Sequence, residues 1–106
     1  MIKFGVSNII KDAESMFEIK VCGHACYAEK GKDIVCASAS AYCYFLLESL
    51  MGFRTDMHDC KVNDGDFKLR VKINNKVRIV IGAFLNCMRD LERQFPKNVM
   101  EIDCFD

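Results

Sequence analysis

The chemically dense part of the chain is Gly23-His24-Ala25-Cys26-Tyr27-Ala28-Glu29-Lys30-Gly31-Lys32-Asp33-Ile34-Val35-Cys36. An imidazole and a thiol stand at its two ends, joined by a charged stretch with glycines at Gly23 and Gly31. Asp33 is a favoured helix N-cap, because its carboxylate accepts bonds from the first free backbone N–H groups, so Cys36 falls in the first helical turn. A helix start presents unpaired N–H groups and a partial positive charge. Both favour a thiolate, which is the nucleophilic form of cysteine. An imidazole beside it can take the thiol proton, as in other thiol nucleophiles. The amides of Cys36 or Ala37 are the expected donors to a developing oxyanion.

Each of these residues also has a plainer reading. A cysteine in an apolar helix is commonly a packing residue, and a loop histidine is commonly solvated. Asp33 either caps the helix or orients His24, as the third member of a triad does. Ser40 lies four residues after Cys36 on the same helix face, where it bonds back to the Cys36 carbonyl or contacts the site. Cys22 and Cys26 flank His24 in alternation, and with His58 and Cys60 they form a rival set of metal ligands. Neither spacing is a usual zinc spacing, so no metal or cofactor is expected. A non-catalytic dimeric interaction module is the remaining alternative.

The surrounding pattern supplies the elements that hold this segment. Ile2–Val6 and Met16–Val21 alternate apolar and polar as half-buried strands do, with Ser7–Ser15 read as a polar connection. Gly23–Lys32 has no period and reads as a loop. Ile34–Met51 reads as a helix, with Gly52 supplying a left-handed turn after it. His58–Val62 and Phe67–Ile73 are strands joined by the turn sequence Asn63-Asp64-Gly65-Asp66. Asn74-Asn75 starts a second helix, whose apolar residues from Val77 to Phe95 recur at helical spacing until Pro96, and Val99–Phe105 alternates again as a closing strand. The order β-β-α-β-β-α-β predicts an α+β two-layer sandwich of a small, mainly antiparallel sheet and two helices, in a single domain over residues 1–106. The first helix carries Glu48 as its only charge and must be covered on more than one side. That predicts a homodimer, with Leu46 and Leu50 as candidate interface residues. The same stretch carries too many serines and tyrosines for a lipid-facing span, so no membrane is expected.

Composition narrows the function class. Lys plus Arg and Asp plus Glu each number 15, for a formal net charge of zero. Nucleic-acid binding leaves a basic footprint, and the alternating Lys68, Arg70 and Lys72 read as a solvated strand face. Direct nucleic-acid contact is not expected. The seven cysteines are an odd number, and Met1-Ile2-Lys3-Phe4 opens no export signal. A cytoplasmic, reducing location follows, with the cysteines as thiols and most of them core filler.

Gly-His-Ala, then Tyr27, then Gly-x-Asp-Ile-Val-Cys-Ala and Ser40 resembles the signature of Prp, the ribosomal-processing cysteine proteases, also known as YsxB-like proteins. The resemblance implies His24 as catalytic base and proton donor and Cys36 as nucleophile, with Gly23, Asp33 and Ser40 as supporting residues. The loop bearing Ala25, Tyr27 and Gly31 is expected to gate the substrate. The family fold is a two-layer sandwich that forms homodimers. Its members remove a short N-terminal extension from large-subunit ribosomal protein twenty-seven, so the implied partner is that N-terminal peptide. Cys22 and Cys26 fall outside the family pattern.

Overall fold

The computed structural model describes residues 1–103. The elements are β1 (Ile2–Lys11), β2 (Glu14–Cys22), α1 (Ile34–Gly52), β3 (Met57–Asn63), β4 (Asp66–Lys72), α2 (Asn75–Gln94) and β5 (Val99–Glu101). The strands form one sheet in the order β3-β4-β2-β1-β5. All neighbours are antiparallel except β1 and β5, which run parallel with Ile2 opposite Val99. The α+β sandwich and its element order are those the sequence pattern predicts.

Alternation along the strands places Ile2 and Phe4, Ile19 and Val21, and Phe67, Leu69 and Val71 on one sheet face. Both helices contribute to this core, α1 through Val35, Ala39, Cys43, Leu46 and Leu50, α2 through Val77, Ile81, Phe84, Met88 and Leu91. Each fully buried aliphatic side chain here contributes about 1.5–3 kcal/mol. On the opposite sheet face Arg70 Nε donates to Glu18 Oε2 at 2.7 Å and Arg70 also reaches Asp59 at 2.9 Å, tying β2, β4 and β3 together. Burial raises the Glu18 carboxyl, but the Arg70 and Lys20 cations outweigh it and hold the group below its ordinary value.

Several boundaries differ from the sequence reading, each for a local reason. Ser7–Ser15 is not a connection: the β1–β2 ladder continues to Lys11 opposite Glu14. Only Asp12 and Ala13 turn, with φ of 52° and 64°. Two consecutive left-handed residues match the twist of a tight hairpin, and alanine there gives no turn signal. This end of the ribbon extends past the core, leaving Ile10 79% exposed, which is why it read as irregular. Gly52 stays helical, and Arg54 takes the left-handed conformation at φ 52° instead. The ladder of β3 with β4 shifts register between His58 and Lys61. Strand β5 ends at Glu101, and Cys104 and Phe105 of the expected closing strand lie outside the described residues.

Helix α1 is long and apolar enough by composition to cross a membrane, yet its stripe from Val35 to Leu50 is spent on the core. Leu46 and Leu50 belong to that stripe at 1% and 0% exposure, so they are not interface residues. The outward face of the same helix carries Ile34, Tyr44, Phe45 and Met51.

Candidate active site

The loop from Gly23 to Lys32 leaves the end of β2 and delivers the chain to the start of α1. At that start Asp33 has extended backbone, and its Oδ1 accepts from the N–H groups of Val35 and Cys36, both at 3.0 Å. Its Oδ2 faces the loop and accepts from Tyr27 N at 2.9 Å and Ala28 N at 3.2 Å. Both oxygens are thus committed to backbone donors, and Asp33 caps and ties the loop rather than orienting His24. These bonds, that of Cys36 foremost, hold its carboxyl below the ordinary value against the opposing effect of burial.

The cap fixes Cys36 in the first turn, half-buried. Its Sγ accepts a hydrogen bond from the Ala25 N–H at 3.3 Å. Ala25 is 1% exposed, and its carbonyl accepts from Asn98 Nδ2 at 2.9 Å, across the molecule from the turn that precedes β5. The loop is therefore anchored at Ala25 and again at Tyr27, whose ring meets Phe95 edge-on with centroids 5.1 Å apart. Gly31 has φ +89° in open space. The expected gating segment narrows to the part beyond Ala28. The Cys36 and Ala37 amides are not free oxyanion donors, because Cys36 N–H is bound to Asp33 Oδ1 and Ala37 N–H to the Asp33 carbonyl at 3.0 Å.

His24 is exposed and sits against the β3–β4 turn. A Cβ at Gly65, which has φ +72°, would lie 2.6 Å from His24 Nε2. Gly65 thus serves the hairpin and leaves space for the imidazole. Gly23 also has a positive φ, donates to the Gly65 carbonyl at 2.9 Å, and could accept no Cβ without striking the Met1 carbonyl. The two glycines lock the loop to the turn.

His24, Cys36, Ser40 and Asp64 line two adjoining cavities. One, of about 240 Å³, runs toward Val21, Cys43, Tyr44, Val62 and Phe67. The other, of about 640 Å³, lies under the loop against Cys26, Lys30, Lys32 and Ile34. Thiol and imidazole therefore sit where the two cavities join, the arrangement an extended chain would cross. Ser40 opens on both cavities, and the serines of α1 that bond back to helix carbonyls are Ser38 and Ser49.

The rival metal set does not assemble. His58 lies on β3 beside Asp56, and among the described residues no group of three or more His, Cys, Asp or Glu side chains is placed to hold a metal ion. Of the other thiols, Cys43 is core filler, and burial pushes it up to about 12. Cys26 is exposed, with φ 55°. The sequence reading missed Gly65 as a site residue and missed Asn98 altogether. The turn sequence marked Gly65 as a bend but not as a neighbour of His24, and nothing local marked Asn98.

A small α+β sandwich that sets a thiol at a helix start and an imidazole at the same open cleft has the makings of a thiol hydrolase. The family model for cysteine protease Prp matches residues 1–100. The ribosomal processing cysteine protease Prp of Staphylococcus aureus is 28% identical over 94 residues, covering 85% of this chain and 89% of that protein. The S. aureus protease with a covalently linked product peptide superposes with a TM-score of 0.79 at 24% identity, covering 98% of this chain and all of that one. A Streptococcus mutans protein gives 0.65 at 24% identity, covering 100% and 96%. At these identities the structures establish the fold, and the family match goes further. The chain belongs to the Prp family and is a cysteine protease.

Proposed function

We propose that this protease is a cytoplasmic endopeptidase that removes the short N-terminal extension of large-subunit ribosomal protein twenty-seven. Cys36 is the nucleophile and His24 the base and proton donor. The observation that carries this reading is the Cys36 thiol at a capped helix start, lining with His24 the junction of two cavities. The larger family resemblance and the ribosomal-processing relative in S. aureus point to the same substrate class.

His24 takes the proton from Cys36, and the sulfur attacks the scissile carbonyl carbon to form an S–C bond. Collapse of the oxyanion breaks the C–N bond, and His24 gives its proton to the leaving amine. Water, losing a proton to His24, then displaces the sulfur and releases the acid product, and the thiol is regenerated. These steps need only a thiol, an imidazole and water. The Val21, Val62 and Phe67 wall of the smaller cavity suits the hydrophobic end of the extension. The protein acts as a homodimer through the outward face of α1 and makes no direct nucleic-acid contact.

The test is incubation with the organism's own precursor of that ribosomal protein, followed by intact mass. Loss of a short N-terminal piece is expected with the wild type and none with folded Cys36→Ala. Comparable turnover by folded Cys36→Ala would remove Cys36 from the mechanism, and an unchanged precursor with active wild type would remove the substrate.

A further inference from the structure

The helix-start amides are not available to a substrate oxygen. Val35 and Cys36 N–H are held by Asp33 Oδ1, and Ala37 N–H by the Asp33 carbonyl. The backbone donor that does face the sulfur comes from the loop, the Ala25 N–H, 3.3 Å from Cys36 Sγ. Ala25 follows His24 directly, so one short stretch of backbone sets both the imidazole and this donor. Two groups distant in sequence fix that stretch, the Met1 ammonium on the His24 carbonyl and Asn98 on the carbonyl of Ala25. Asn98 Nδ2 donates to the Ala25 carbonyl at 2.9 Å. Asn98 is itself held by its backbone, with its N–H on the Phe95 carbonyl at 2.9 Å and its carbonyl accepting from Ile2 N at 2.8 Å. Its side chain is then free to act on the loop alone.

We propose that Ala25 N–H is the backbone donor at the reacting centre and that Asn98 is the positioning residue that aims it. The donor is bonded to the Cys36 sulfur, and so lies within reach of an oxygen borne on the carbon that the sulfur attacks. Charge on sulfur and then on that oxygen is met by a donor already in place, which is where a hydrogen bond contributes most to rate. Removing the Asn98 amide frees the Ala25–Cys26 peptide, which adjoins the His24–Ala25 peptide that carries the donor, so Ala25 shifts and the donor leaves the sulfur while the fold remains. The proposal rests on Cys36 as nucleophile.

The experiment replaces Asn98 by Leu, of similar size without a donor, and by His, whose Nδ1 stands where the amide nitrogen stood. Site-resolved iodoacetamide labelling of Cys36 at neutral pH, which needs no substrate, is read together with kcat and KM on a peptide spanning the precursor's cleavage region. Asn98→Leu is expected to slow Cys36 labelling and to lower kcat about tenfold to a hundredfold, with KM within about twofold. Asn98→His is expected to restore most of both, with thermal midpoints of the two variants alike. If Asn98→Leu is poorly folded, Asn98→Asp, isosteric and without the donor, takes its place with the same expectation. Unchanged labelling and kcat in a folded donor-less variant overturn the proposal, as does a folded His variant that rescues neither. Should Cys36→Ala itself cleave the peptide, the nucleophile assignment fails, while Cys36 labelling still reports whether Asn98 aims the Ala25 amide.

Discussion

Gly65 and Asp33 show how single residues place His24 and Cys36, the pair proposed to be catalytic, without taking part in the chemistry. A Cβ at Gly65 would meet His24 Nε2 at 2.6 Å, so Gly65→Ala forces the imidazole off its position. The substitution also carries the cost of a left-handed alanine, roughly 1–2 kcal/mol. Gly31→Ala separates the two effects, since Gly31 has φ +89° with nothing near its Cβ position. Gly65→Ala is expected to lower kcat about tenfold to a hundredfold, the scale of a misplaced catalytic group. Gly31→Ala should show the backbone cost in its thermal midpoint and keep most of kcat. Equal kcat losses in the two variants would remove displacement of His24 as the specific cause. Asp33 acts through charge. Because its carboxyl ionises below its ordinary value in the fold, its stabilising effect is present above the unfolded value and is lost as pH falls through the folded one. Asp33→Asn removes that titration and turns an amide donor toward the N–H groups of Tyr27 and Ala28. The gap in thermal midpoint between wild type and Asp33→Asn should be widest near neutral pH and narrow below about pH 4. A gap independent of pH would refute the charge-based cap.

Helix α1 is the element on which sequence and structure agree in extent and differ in use. Its limits were legible because Asp33 announces a cap and the apolar run is long. Which side of it faces the core was not legible, since nearly every position is apolar and no polar stripe marks the outside. Burial resolves this: Leu46 and Leu50 face the core, while Tyr44 and Phe45 face outward, Phe45 at 74% exposure. Leu46→Glu therefore buries a carboxylate among apolar side chains and should unfold the protein. Phe45→Glu leaves the core untouched and should convert a dimer to a folded monomer. Sedimentation at micromolar concentration with circular dichroism distinguishes these outcomes, and a monomeric wild type would refute the dimer. The β1–β2 hairpin was the element read worst. Its turn rests on Asp12 and Ala13 in left-handed conformation, and alanine carries no hint of that geometry.

Across the whole molecule, the site was legible to the extent that it is local. His24, Asp33 and Cys36 lie on one loop and one helix start, so their types and spacing suffice to group them. Gly65 and Asn98 reach the same cleft from the β3–β4 turn and the turn before β5, and only the folded sheet brings them there. Those long-range ties also revise how the loop should move. Ala25, Tyr27 and Ala28 each have a backbone N–H partner, at Cys36 Sγ for the first and Asp33 Oδ2 for the others. Beyond them the loop is held at its tip by Lys32 N–H on the Glu29 carbonyl and by an exposed Lys30–Asp64 pair at 3.7 Å. Such an exposed pair contributes little to stability, so the segment from Glu29 to Gly31 is the part expected to open and close over the larger cavity. Lid segments of this kind are drawn from the least stable parts of a fold. In hydrogen exchange, the Tyr27 and Ala28 amides should be protected in the free protein and change little when a substrate peptide binds to Cys36→Ala. The amides of Glu29, Lys30 and Gly31 should exchange fast in the free protein and become protected in the complex. Equal protection of those three with and without peptide, at saturating concentration, would show that the loop does not gate the cleft. Strong new protection at Tyr27 would instead show that the Asp33 tie opens in the free protein and closes only over substrate.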